Sequence, residues 1–126
     1  ASLDAAAAAA DRALTALPES FDAVVLGMGE DGHTASWFPD GDRLAAALDP
    51  GNLRLVIPML ADSAAATRER LTLTLPVVAR AQLVLLPLEG AGKLATLARA
   101  MEPGPVEALP IRAALKLSQT QVHTAG

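Results

Sequence analysis

Short, continuously apolar runs alternate along this chain with alanine-rich stretches of helical period. Residues 4 to 17 read as a helix that stops before Pro18. "FDAVVLG" is a β-branched apolar run ending at Gly27, the mark of a buried strand. The turn "GMGEDG" follows, then "HTASWF" as a short helical turn halted by Pro39, Asp40 and Gly41. "DRLAAAL" predicts another short helix, closed by "DPGN". "LRLVIPML" is a second apolar strand, which Pro58 should end or place at a sheet edge. "ADSAAATRER" reads as an exposed connection, and "LTLTL" alternates cleanly as a strand. "PVVARA" is a helical turn, "QLVLLPLEG" a further strand, and "AGKLATLARAM" a helix beginning just after Gly90 and Gly92. "EPGPVEALP" is a connection, "IRAALKL" a last helical turn, and "SQTQVHTAG" a loose end.

Strands alternating with helices, each strand short and apolar, predict an α/β fold: a mainly parallel open sheet with flanking helices, Rossmann-like in type. There is no internal repeat and no long linker. Residues 1–126 therefore read as one α/β domain or part of a larger one. The first residue is alanine, which fits a processed or partial product.

Composition narrows the function. Hydrophobic residues make up 52% of the chain and aromatics only 2%, so a core must be built from Leu, Val, Ile and Ala. The formal charge is −4, with no basic stripe, which argues against a nucleic-acid partner. In such an acidic chain a Lys or Arg beside a glycine turn is a candidate anion binder. Cysteine is absent, which excludes thiol chemistry and fits a reducing, cytoplasmic setting. The histidines, His33 and His123, show no metal-ligand spacing, so no metal is expected. "DAAAAAADRALTALP" lacks a basic start and contains Asp4 and Asp11, so it reads as a helix and not an export signal. No apolar run is long enough to span a bilayer.

Gly27, Gly29 and Gly32 match the G-x-G-x-x-G pattern of dinucleotide sites. Glu30 and Asp31 oppose that reading, because they would repel a pyrophosphate at the following helix N-terminus. The acids are equally explained as turn and capping residues. His33 is explained less well that way, since it stands at the C-terminal edge of a strand and is suited to proton transfer near neutral pH. Site and scaffold readings both remain open on these residues.

"GMGEDGHTASWFPDG" resembles the signature of the 6-phosphogluconolactonases, a branch of the glucosamine/galactosamine-6-phosphate isomerase superfamily. "RERLTLTLPVVARAQLVLLPLEGAGK" resembles that family's arginine before a Thr-Leu-Thr strand, followed by a strand and a Gly-x-Gly-Lys turn. "LPIRAAL" resembles a segment near its C-terminus. The resemblance spans most of residues 21 to 117. It implies hydrolysis of 6-phospho-glucono-1,5-lactone to 6-phosphogluconate, in the pentose phosphate pathway, without metal or organic cofactor. It implies His33 as the base that activates water, with Glu30 and Asp31 orienting its ring or holding sugar hydroxyls. It also implies Arg70 and Lys93 as ligands of the 6-phosphate. Lactone hydrolysis further calls for a donor to the developing oxyanion, for which the amides of the Gly27–Gly29 turn are the candidates. Read without the family, Arg70 is a solvated charge with Arg68 as its competitor, and Lys93 an ordinary first-turn lysine. Trp37 and Phe38 read as packing, and His123 as idle.

The resemblance reaches only the C-terminal part of the family chain. The family's Ser/Gly-rich phosphate loop and Asp-Glu-Arg motif are not found here. The expectation is a weakly active or inactive chain that associates with the missing half or with itself. Two other readings are weighed. A glucosamine-6-phosphate deaminase would follow its histidine with Ala-Phe-Asn-Glu-Pro, whereas this chain has "TASWFPD". A non-catalytic sugar-phosphate-binding module could dispense with His33.

Overall fold

The computed structural model describes residues 2–17 and 20–126. The helix stop expected at Pro18 lies outside them. Helix α1, Leu3–Thr15, is capped by the Ser2 hydroxyl, which accepts from the Ala5 amide at 3.0 Å, with Asp4 in its first turn. Three strands form a wholly parallel sheet in the order β1-β4-β5: β1 is Ala23–Val25, β4 is Leu83–Glu89 and β5 is Thr120–Ala125. Strand β4 is central and alternates buried Val84, Leu86 and Leu88 with more exposed neighbours.

The tail expected to be loose is strand β5. Its residues are almost all exposed, with Val122 the one large apolar member. It carries no hydrophobic period to read, and its order comes from backbone pairing with β4.

The strands β2, Val56–Leu60, and β3, Glu69–Leu73, form a separate antiparallel hairpin instead of extending the parallel sheet. Pro58 sits inside β2, opposite Leu71. In a two-stranded sheet each strand is an edge, so a missing N–H on the unpaired side costs no ladder bond.

"HTASWF" is not helical. It is a tight turn closed by the Trp37 amide on the Thr34 carbonyl at 2.9 Å, with Ala35 at φ 51°. Ser36, Trp37 and Phe38 are all buried, which three consecutive helix positions on a surface turn would not allow.

The remaining helices are α2, Leu44–Ala47; α3, Leu75–Arg80; α4, Ala91–Met101; and α5, Ile111–Leu115. Helices α4 and α5 pack on each other, and α4 packs on β4. The core joins Leu26, Met28, Trp37, Phe38, Met59, Leu86 and Ile111.

Helix α1 is fixed to the hairpin by one carboxylate. Asp11 Oδ1 accepts from the amides of Leu55 at 2.6 Å and Val56 at 3.1 Å, and its other oxygen pairs with Arg54 Nε at 3.2 Å. Burial opposes the charge, but the two amides and Arg54 outweigh it, so Asp11 titrates below its ordinary value. A depressed carboxyl stabilises the fold above its unfolded pKa, near 4, and that stability is lost as pH falls through the folded value. Asp11→Ala is expected to cost about 2 kcal/mol in urea unfolding near neutral pH, with the gap to the parent chain closing below about pH 4.

Candidate active site

The chain leaves the parallel sheet at the C-terminal ends of two neighbouring strands. After β1 it forms the Gly27–His33 turn. After β4 it passes Gly90 and enters α4 with Gly92 and Lys93. This edge is where open parallel sheets place their ligands. No helix directly follows the glycine turn among the described residues, since α2 begins at Leu44. The helix N-terminus that a pyrophosphate would need is thus missing there, which adds to the repulsion from the two acids.

The turn is closed locally. The Gly29 amide donates to the His33 carbonyl at 3.0 Å, and the Gly32 amide to the Gly29 carbonyl at 3.0 Å. A Cβ at Gly29 would run into the His33 ring, so only glycine fits there. Because its N–H is used inside the turn, the Gly29 amide does not face a ligand in this arrangement.

The two acids separate. Asp31 Oδ1 accepts from the His33 amide at 3.0 Å and lies 2.6 Å from His33 Nδ1. An ionised carboxylate only accepts, so Nδ1 carries the proton and Nε2 of the neutral ring keeps its lone pair. The His33 side chain is 31% exposed, within reach of a ligand. Glu30 turns away: its carboxylate lies against Gly92 in the first turn of α4.

The face of the imidazole stacks on Phe38, with centroids 4.4 Å apart and 29° between planes. The Arg70 guanidinium carbon lies 5.6 Å from the centre of the same phenyl ring. Arg70 Nε donates to the Thr67 carbonyl at 3.1 Å, and Nη2 to the Ala65 carbonyl. Arg68 instead pairs with Asp62 at 3.0 Å on the surface. Of the two arginines, Arg70 is the one held beside the His33–Phe38 stack.

A cleft of about 380 Å³ is lined by Gly27, Met28, Gly29, His33, Ala35 and Lys93. Four of the sequence candidates therefore share one wall. Arg70 stands behind Phe38 and does not line this cleft, and neither Glu30 nor Asp31 does. Lys93 also lines a second cleft of about 630 Å³ at the ends of β4 and β5, together with Glu89, His123 and Thr124. His123 is exposed there, with its ring 3.3 Å from the Gln121 side chain.

Residues that the sequence did not single out brace this edge. Thr96 and Arg99, on α4, bond the Glu30 carbonyl. Arg112, buried at 8% exposure, donates to the carbonyls of Ala100, Arg99 and Pro105, and so caps the C-terminal end of α4. No spacing rule marks them, because their partners are distant in sequence or depend on the path of the loop. Among the described residues, no group of three or more His, Asp or Glu stands close enough to hold a metal. No described helix is long and apolar enough to cross a membrane.

The sequence profile of the family "Glucosamine-6-phosphate isomerases/6-phosphogluconolactonase" matches residues 1–124. A 6-phosphogluconolactonase of Mesorhizobium japonicum is 48% identical over 118 residues, covering 94% of this chain and 48% of that protein. One of Pseudomonas putida is 48% identical over 113 residues, covering 90% of this chain and 46% of that protein. The crystal structure of a 6-phosphogluconolactonase from Shewanella baltica superimposes with a TM-score of 0.88 at 36% identity, over 98% of this chain and 51% of that one. This chain thus spans about half the length of the relatives it matches.

Proposed function

The chain belongs to the family of glucosamine-6-phosphate isomerases and 6-phosphogluconolactonases, and we propose that it carries the proton-transfer half of a 6-phosphogluconolactonase site. The substrate is 6-phospho-glucono-1,5-lactone and the product 6-phosphogluconate. The observation that carries this reading is the His33–Asp31 pair at 2.6 Å, opening on a cleft whose wall also holds Lys93.

The reaction is acyl transfer from a ring oxygen to water. Nε2 of neutral His33 takes a proton as water attacks the lactone carbonyl, and Asp31 steadies the imidazolium that forms. The tetrahedral intermediate expels the ring oxygen, which accepts the proton back from His33. The acid product ionises and releases a proton to solvent. Lys93 supplies a cation for the 6-phosphate. Arg70 joins it if the substrate reaches past Phe38. The chemistry calls for no cofactor, and the lack of cysteine suits a reducing cytoplasm.

The "TASWFPD" run favours the lactonase over the deaminase branch, as do the names of the relatives. Strand β1 pairs only with β4 among the described residues; Val25 in it is 66% exposed, and Phe21, two residues before the strand, is exposed as well. That apolar edge suits association with the rest of a longer domain, or with a second copy.

Proton release on fresh 6-phosphogluconolactone, corrected for spontaneous hydrolysis, tests the reading. A slow catalysed rate is expected from this chain alone, rising when the remaining half of a related lactonase is added. Binding of 6-phosphogluconate with no catalysed rate in either mixture would favour a non-catalytic binding module instead.

A further inference from the structure

Glu30 makes its contacts on α4 and not on the histidine two residues beyond Asp31. Its carbonyl accepts the Thr96 hydroxyl at 2.7 Å and Arg99 Nη2 at 3.2 Å. Its carboxylate rests on Gly92, where a Cβ would collide with it, at the positive end of an 11-residue helix. Thr96 is 1% exposed, and its single hydroxyl proton points to a carbonyl 66 residues away, with the nearer Gly92 carbonyl at 3.2 Å as a second, longer contact. The turn is held from its other side by the Ile111 amide, which donates to the Gly32 carbonyl at 2.8 Å.

These contacts join two short lever arms. On one side, Glu30 is followed by Asp31 and His33 in a turn closed by its own hydrogen bonds. On the other, Thr96 stands one helical turn from Lys93. A helix turn and a closed loop are both stiff. Their junction at Glu30–Thr96 therefore sets where the backbone of Lys93, from which its ammonium reaches, lies relative to the His33 turn.

We propose that Thr96, acting with Glu30 and Gly92, is a positioning residue that fixes the spacing between His33 and Lys93, and with it the length of ligand the site accepts. The ligand class is an anion-bearing polyol acid or lactone, with its carbonyl end at His33 and its phosphate end at Lys93. This builds on the lactonase reading above and assigns Glu30 a positioning role in place of a role beside the base.

The test needs no turnover. His33 is one of two histidines in the chain, so its ring signals are readily followed by NMR. Inorganic phosphate, gluconate and 6-phosphogluconate are titrated into the parent chain, Thr96→Val and Thr96→Ser. Valine keeps the volume and removes the hydroxyl. The expected result is that Thr96→Val weakens 6-phosphogluconate roughly 10-fold, leaves phosphate and gluconate within twofold, and is largely rescued by Thr96→Ser. Equal weakening of all three ligands, or of none, would overturn the proposal.

Amide hydrogen exchange at Gly29 and Ile111 is measured on the same samples. It should speed up in Thr96→Val and recover in Thr96→Ser, and unchanged exchange would also overturn the clamp. If the parent chain binds none of the three ligands even with the remaining half of a related lactonase added, the lactonase reading fails. The exchange result then still decides whether Thr96 holds the turn.

Discussion

Replacing His33 by alanine is expected to return lactone hydrolysis to the spontaneous rate. A positioned general base contributes roughly 10²–10⁴ in rate, and the His33 ring is the titratable group lining the cleft beside Lys93 with its proton-accepting nitrogen free. Asp31→Asn should lose less. Its amide oxygen can still accept from Nδ1–H, but a neutral amide does not stabilise the imidazolium, and its NH₂ group can favour the wrong tautomer. The ordering parent > Asp31→Asn > His33→Ala, read in a pH-stat under constant ionic strength, is the expected outcome. Glu30→Gln should keep most of the turnover number, because its carboxylate lies on α4 and not on the base. His123→Ala serves as a control at the second histidine. If Glu30→Gln fell as far as His33→Ala while still folded, Glu30 would act on the base during turnover and the two acids would not have separate roles.

Much of that site was readable because its geometry is local. Asp31 and His33 are two residues apart, and Gly29 is needed within the same seven-residue turn. The strand ending at Gly27 and the helix beginning at Gly90 were marked by an apolar run and by glycines. Their placement side by side follows from parallel pairing of β1 with β4, which alternating strands and helices imply.

What escaped the sequence is mostly non-local. Glu30 and Asp31 are chemically alike neighbours, and only the position of α4 decides which of them faces the histidine. Thr96 looks like any mid-helix threonine until Glu30 is placed beside it. Arg112 reads as one more surface cation, yet it is buried because the 102–110 loop brings Pro105 over the end of α4. Strand β5 has too little apolar character to reveal itself, and the β2–β3 hairpin has strands whose pattern does not say which sheet they join. "HTASWF" failed for a different reason: two large buried side chains in succession outweigh a locally helical composition.

Those two side chains also carry the largest expected effect on stability. Trp37 is fully buried, and its indole N–H donates to the Leu73 carbonyl at 2.8 Å, tying the turn after His33 to the end of β3. Trp37→Ala removes the largest side chain of an aromatic-poor core and takes one of two side-chain donors from that carbonyl, the Thr72 hydroxyl remaining. The cavity alone is expected to cost about 3–5 kcal/mol, a large share of the 5–15 kcal/mol typical of a whole domain. Trp37→Leu separates the two causes. Leucine refills part of the volume but cannot donate, so it should still lose about 0.5–1.5 kcal/mol, the net contribution of one hydrogen bond, since the Thr72 hydroxyl still donates to that carbonyl at 2.9 Å. Urea unfolding followed by far-UV circular dichroism is the suitable probe, since both variants lack the one tryptophan. Equal midpoints for Trp37→Leu and the parent chain would mean that the indole hydrogen bond contributes nothing net. Because Phe38 is the next residue and forms the plate on which His33 stacks, the same loss should blur the site before it unfolds the chain. In Trp37→Leu the His33 ring signals should therefore broaden at urea concentrations where the dichroism is still native.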